Sequence, residues 1–166
     1  EGPFGAQIQS GAVLGVSING SPYQRGKNSE RVGAVIEGAS EHKVPIVYVN
    51  QVGGQDELIF DGSSFVVDAN GEVIARLPQF EEAVEVVDVE VYSRIKGALP
   101  VISLSSERRH REPLLTSTGT EPNDEVGEVW NALVLATRDY VHKNEFSDAV
   151  IGLSGGVDSS LVAAIA

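Results

Sequence analysis

The sequence predicts an α/β fold in two unequal parts. A β-type run, an amphipathic helical run and a second β-type run follow one another between residues 12 and 50. Apolar–polar alternation and an Asn-Gly dipeptide mark further strands between residues 63 and 91. Residues 149–166 then set a glycine-rich turn between an apolar run and a helix. β-type and helical periods alternate in this way in sheets covered by helices.

In order, residues 12–18 read as a buried strand that ends in the turn Asn19-Gly20-Ser21-Pro22. Residues 28–42 read as a helix, because Val32, Val35, Ile36 and Ala39 recur at i, i+3, i+4 and i+7. Residues 44–50 form a second apolar run. Residues 63–68 and 72–77 flank Ala69-Asn70-Gly71, and Asn-Gly between β-rich runs signals a hairpin. Residues 82–91 alternate valines with Glu85, Asp88 and Glu90, as a half-buried strand would.

Residues 93–122 change character, with Pro100, Pro113, Pro122 and the run Thr116-Ser117-Thr118-Gly119-Thr120, and read as linker. A helix is expected over residues 124–143, capped by Asn123 or Asp124. Its stripe of Val126, Val129, Trp130, Leu133, Val134, Thr137, Tyr140 and Val141 is expected to face the core, Trp130 included. Residues 149–151 then read as a strand leading into Gly152-Leu153-Ser154-Gly155-Gly156-Val157-Asp158-Ser159 and a last helix.

Composition removes several function classes. The net charge of −12 argues against a nucleic-acid surface, which needs a basic patch. The one dense basic cluster, Arg108-Arg109-His110-Arg111, reads as a solvated loop. There is no cysteine, so disulfides and thiolate metal sites are excluded, and His42, His110 and His142 lack ligand spacing. No apolar run approaches the ~20 residues that span a bilayer. The expected compartment is the cytoplasm. A start at Glu1 without methionine and an end inside a helix lead us to expect a piece of a longer protein.

The glycine-rich turn suits a phosphate, since free amides and the positive end of a helix dipole converge there. No lysine follows Gly155-Gly156, so it is not a Walker A loop. Ser-Gly-Gly-x-Asp-Ser instead resembles the PP-loop of the ATP pyrophosphatases, which split ATP between its α- and β-phosphates. The resemblance implies ATP contacts from Gly152, Leu153, Ser154, Gly155, Gly156, Val157, Asp158 and Ser159. The glycines allow close backbone approach to pyrophosphate, the hydroxyls of Ser154, Ser159 and Ser160 reach phosphate oxygens, and Asp158 is expected to hold Mg²⁺. The rival reading is a tight turn whose glycines serve packing.

Upstream, Asn19-Gly20-Ser21-Pro22-Tyr23, Gly26-Lys27 and the run from Asn50 to Ser64 resemble the nitrilase-like glutaminase domain of the glutamine-dependent NAD⁺ synthetase family. Trp130-Asn131-Ala132-Leu133-Val134-Leu135 and the PP-loop continue the likeness over nearly the whole chain. It implies a partial αββα sandwich over residues 1–104, a linker over 105–122, and the first helix–strand–helix of a Rossmann-like ATP-binding domain over 123–166. It also implies glutamine, ATP and deamido-NAD⁺ as substrates, and a homo-oligomer. Ser21 and Lys27 match glutamine-binding positions, and a hydroxyl and a cation suit a carboxylate or an amide oxygen. Taken alone, Ser21 equally suits the turn before Pro22, and Lys27 a surface charge.

The family's Glu-Lys-Cys triad is expected upstream of these residues, and the chain by itself is expected to have neither activity. Two other readings stay open: a PP-loop ligase with another acceptor, and a catalytically dead nitrilase-like module joined to a nucleotide-binding domain.

Overall fold

A computed structural model describes residues 2–92, 102, 112 and 119–166. Most of the linker and the basic cluster at Arg108 to Arg111 lie outside the described residues. The architecture is α/β, as expected. The order is α1 (Pro3–Gln9), β1 (Gly15–Asn19), α2 (Lys27–His42), β2 (Ile46–Asn50), β3 (Val52–Gln55), β4 (Leu58–Asp61), β5 (Phe65–Val67), β6 (Val73–Arg76), α3 (Glu125–Lys143) and α4 (Val157–Ile165).

One four-stranded sheet runs β1-β2-β5-β6. β1 and β2 pair in parallel, from Gly15 with Ile46 to Asn19 with Asn50, and α2 makes the crossover between them. β5 lies antiparallel to β2, and β6 to β5. The expected stripe of α2 reaches the core: Val32, Val35, Ile36 and Ala39 pack with Ile46, Tyr48, Phe65 and Val67. The Tyr48 and Phe65 rings stack at 5.0 Å. Full burial of side chains such as Phe65 and Val67 contributes about 1.5–3 kcal/mol each relative to exposure. α2 stops where Lys43 turns left-handed, two residues before Pro45, whose missing N–H suits no further helical turn.

The Asn-Gly hairpin forms as predicted. Gly71 has φ +90°, and a Cβ there would lie 2.1 Å from Ser40 Oγ, so only glycine fits without a shift. The amides of Asn70 and Glu72 each donate to Asp68 Oδ1 at 2.8 Å. Partial burial pushes the Asp68 carboxyl up, but the hydrogen bonds from Glu72 and Asn70 outweigh it, and the group is held below its ordinary value. A depressed carboxylate stabilises the fold above its unfolded value and loses that contribution as pH falls through the folded value. Asp68→Ala is therefore expected to cost ~1 kcal/mol at pH 7 and nothing in strong acid. Urea midpoints at both pH values check this; an equal loss in acid would contradict it.

Residues 82–91 depart from expectation. They are extended, but no ladder forms; Val84 is exposed, while Val87 and Val89 help line a cavity of about 520 Å³ against Val47 and Val49. Alternation sorts two faces, yet a strand also needs a hydrogen-bonding neighbour. The hairpin of β3 and β4 went unread because Gly53-Gly54 and Asp56-Glu57 lack β-type character. The described residues hold this four-stranded sheet and the β3-β4 hairpin, and the face of the larger sheet away from α2 is unevenly covered, with Ile18 82% and Val66 4% exposed.

Helix α3 forms at the expected place, and Asp124 caps it by accepting from the Gly127 amide at 2.7 Å. Its buried side is not the predicted one. Ala132 and Leu135 pack with Phe80, Tyr23, Val52 and Ile59, while Trp130 is 39% exposed and Val126 and Tyr140 are open. Close approach decides this. A Cβ on Gly54 would lie 3.1 Å from Ala136 Cα, so the helix docks through small residues that its large ones would hold away. Residues 149–151 are extended without a ladder, and Val150 is 99% exposed.

Candidate functional site

The parallel strands β1 and β2 end side by side at Asn19 and Asn50. Carboxyl ends of such strands are where open α/β sheets bind ligands. Ser21 sits there, just beyond β1. Its amide donates to Asn50 Oδ1 at 2.9 Å, and Asn50 Nδ2 donates to its carbonyl at 3.1 Å. One side-chain amide thus satisfies both backbone groups of Ser21, as a strand partner would.

Arg31, from α2, completes the setting. Its Nε donates to Ser21 Oγ at 3.2 Å, and Nη2 donates to the carbonyls of Ser21 and Pro22 at 3.0 and 2.9 Å. Nη1 meets both Asp61 oxygens at 2.8 and 2.9 Å. Arg31 is 8% exposed and Asp61 1%, so this ion pair is shielded from solvent. Lys27 opens α2, half-buried, four residues before Arg31 and therefore on the same helix face. The structure places Ser21 and Lys27 around this end of the sheet.

Arg31, Asn50 and Asp61 were missed by sequence reasoning. A signal existed for Arg31: it shares the i, i+4, i+8 row of Val35 and Ala39, so a charge stands in an apolar stripe. Tyr23 is a neighbour whose hydroxyl is buried without a partner among the described residues. Burial raises its pKa, and the carboxylates of Glu128 and Asp61 add to the rise.

The second candidate is the loop before α4. Gly155 has φ +83°, and Gly156 caps the helix in an extended conformation. Ser154 Oγ and Ser159 Oγ lie 3.1 Å apart, and Ser159 and Ser160 donate their hydroxyls to the Gly156 carbonyl. The first helical amides, at Val157, Asp158 and Ser159, precede the intrahelical ladder and stay available to an anion. No described atom lies within 4 Å of a Cβ built on Gly152 or Gly155, so these glycines do not serve packing here. Asp158 is exposed in the first turn.

No group of three or more His, Cys, Asp or Glu suited to a metal occurs among the described residues. A single carboxylate nevertheless fits Mg²⁺, which is commonly held by one or two carboxylates together with substrate phosphates.

α3 is fastened to the sheet-rich part by hydrogen bonds and an ion pair. Gln79 Nε2 donates to buried Glu128 at 2.9 Å, Arg25 pairs with Glu125, and the Gly54 amide donates to Asp139 Oδ2 at 2.7 Å. Lys143 donates back to the Gly54 carbonyl.

Comparison with known proteins agrees with this layout. Residues 11–95 match the carbon-nitrogen hydrolase family, and residues 129–166 match the NAD synthase family. The glutamine-dependent NAD⁺ synthetase of Synechocystis is 44% identical over 159 residues, which is 96% of this chain and 25% of that protein. That of Thermotoga maritima is 39% identical, over 96% of the chain and 30% of the relative. The solved structure of the Acinetobacter baumannii glutamine-dependent NAD⁺ synthetase, in complex with ADP, superposes with TM-score 0.76 at 34% identity, over 96% of this chain and 27% of that one. The Cytophaga hutchinsonii enzyme shares the fold at 22% identity and TM-score 0.62. The chain spans about a quarter of the length of these curated relatives.

Proposed function

From the premise that this chain belongs to the carbon-nitrogen hydrolase family and runs on into an NAD synthase segment, we propose that it is part of a glutamine-dependent NAD⁺ synthetase. The carrying observation is the order of its parts: a nitrilase-like segment, then Ser154 to Ser160 at the N-terminus of α4. The domain division is 1–104, 105–122 and 123–166.

In this reading the ATP phosphates lie against the amides that open α4, with Gly155 and Gly156 allowing close approach and Ser154 and Ser159 donating hydroxyls. Asp158 holds Mg²⁺, which when bound offsets phosphate charge. The nicotinate carboxylate of deamido-NAD⁺ attacks the α-phosphorus of ATP, and pyrophosphate leaves. Ammonia then displaces AMP from the adenylylated carboxyl carbon, giving NAD⁺. Glutamine supplies that ammonia, with Ser21 and Lys27 binding its polar groups. These 166 residues hold no cysteine, so the thiol nucleophile of glutamine hydrolysis has to come from elsewhere in the protein. The same reading makes the protein a cytoplasmic ligase and a homo-oligomer, with no nucleic-acid or membrane partner. The acidic net charge supports the absence of a nucleic-acid partner.

The test is ATP–pyrophosphate exchange in the full-length protein. Exchange that requires deamido-NAD⁺, with NAD⁺ formed when glutamine is added, is the expected result. Exchange driven by a different carboxylate acceptor, or none at all, would sink the proposal.

A further inference from the structure

We infer that Arg31 is a positioning residue of the glutamine subsite, orienting the Ser21 hydroxyl as a hydrogen-bond donor, and that Asp61 holds Arg31 for that purpose. This rests on the assignment of Ser21 to glutamine. A serine hydroxyl has one hydrogen and two acceptor lone pairs. Arg31 Nε–H occupies an acceptor position of Ser21 Oγ at 3.2 Å. Among the described residues no acceptor takes the Ser21 hydroxyl hydrogen, so it is left to point at a ligand. Donation from a guanidinium also polarises the O–H bond and strengthens it as a donor. The ligand group at this spot is therefore an acceptor, a carboxylate or a carbonyl oxygen, and not an ammonium.

The loop itself is immobilised from three sides. Arg31 Nη2 holds the Ser21 and Pro22 carbonyls, Asn50 holds the Ser21 amide and carbonyl, and Ser64 Oγ accepts from the Asn50 amide at 3.0 Å. Arg31 makes these contacts only in one pose, and Asp61 fixes that pose through Nη1. Lysine at position 31 would keep the charge beside Asp61 but has no planar fork to reach Ser21 Oγ and two carbonyls together.

The experiment is a double-mutant cycle on glutamine-driven NAD⁺ synthesis by the full-length protein, with ammonium-driven synthesis as the control for folding. Ser21→Ala and Arg31→Lys are each expected to raise the glutamine KM about tenfold, the factor that ~1.4 kcal/mol represents. Together they are expected to do no more than either alone, because Arg31 acts through Ser21. Multiplied effects, about a hundredfold by the same conversion, would overturn the inference and leave Arg31 a structural residue. If Ser21→Ala leaves the glutamine KM unchanged, the assignment of Ser21 itself fails. Should Arg31→Lys not fold, Asp61→Asn replaces it in the cycle with the same expected coupling and the same overturning result.

Discussion

Replacing Asp61 with alanine is expected to destabilise the sheet-rich half by about 3–5 kcal/mol, the cost of leaving one buried charge of a pair uncompensated. Arg31 is 8% exposed, so water does not replace the lost carboxylate, and three further hydrogen bonds of Arg31 depend on its pose. Hydrogen exchange of the Ala39 and Val67 amides in the full-length protein reports the loss, since both residues are fully buried in the core that α2 closes. A change under ~1 kcal/mol would mean that the pair is solvated in practice. Stability and function separate here. The double variant Arg31→Met with Asp61→Leu removes both charges and is expected to recover most of the stability. It cannot restore the donors that hold Ser21 and Pro22, so its glutamine KM is expected to stay high.

Asp158→Asn is expected to lower deamido-NAD⁺-dependent ATP–pyrophosphate exchange by at least ~10²-fold, because in the proposed reading Asp158 would hold a Mg²⁺ whose charge stabilisation is worth several kcal/mol. The substitution keeps shape and removes charge. Asp158 is exposed at the start of α4, so the cost to the helix is limited to the loss of a favourable dipole interaction, about 0.3–1 kcal/mol. Glutamine hydrolysis measured without ATP is expected to be unchanged, which separates this effect from misfolding. Exchange at the wild-type rate over the whole range of Mg²⁺ concentration would show that Asp158 holds no metal.

Helices α2, α3 and α4, the strands β1 and β2 and the Asn-Gly hairpin were legible because each rests on a local rule: period, cap or turn chemistry. The glycine-rich turn was legible for the same reason, since its residues stand in one contiguous run from Gly152 to Ser159. Ser21 and Lys27 were singled out as candidates through family likeness, but the network around Ser21 was not. Arg31, Asn50 and Asp61 lie 10, 29 and 40 positions from Ser21, and no local period joins them.

The face on which α3 docks was misread for a related physical reason. A helix stripe states which side is apolar, not which neighbour will approach, and the close fit of Gly54 to Ala136 selected the small-residue side. Residues 82–91 and 149–151 show the same limit, since alternation and apolarity describe a strand's faces while its ladder depends on another segment.

The α/β class, the order of the two segments and the glycine-rich loop before α4 were therefore readable from the chain alone, all set by short-range stereochemistry. Only the tertiary structure decided that a buried arginine–aspartate pair holds the Ser21 turn and that α3 docks by its small residues, because both depend on which distant groups meet where water is excluded.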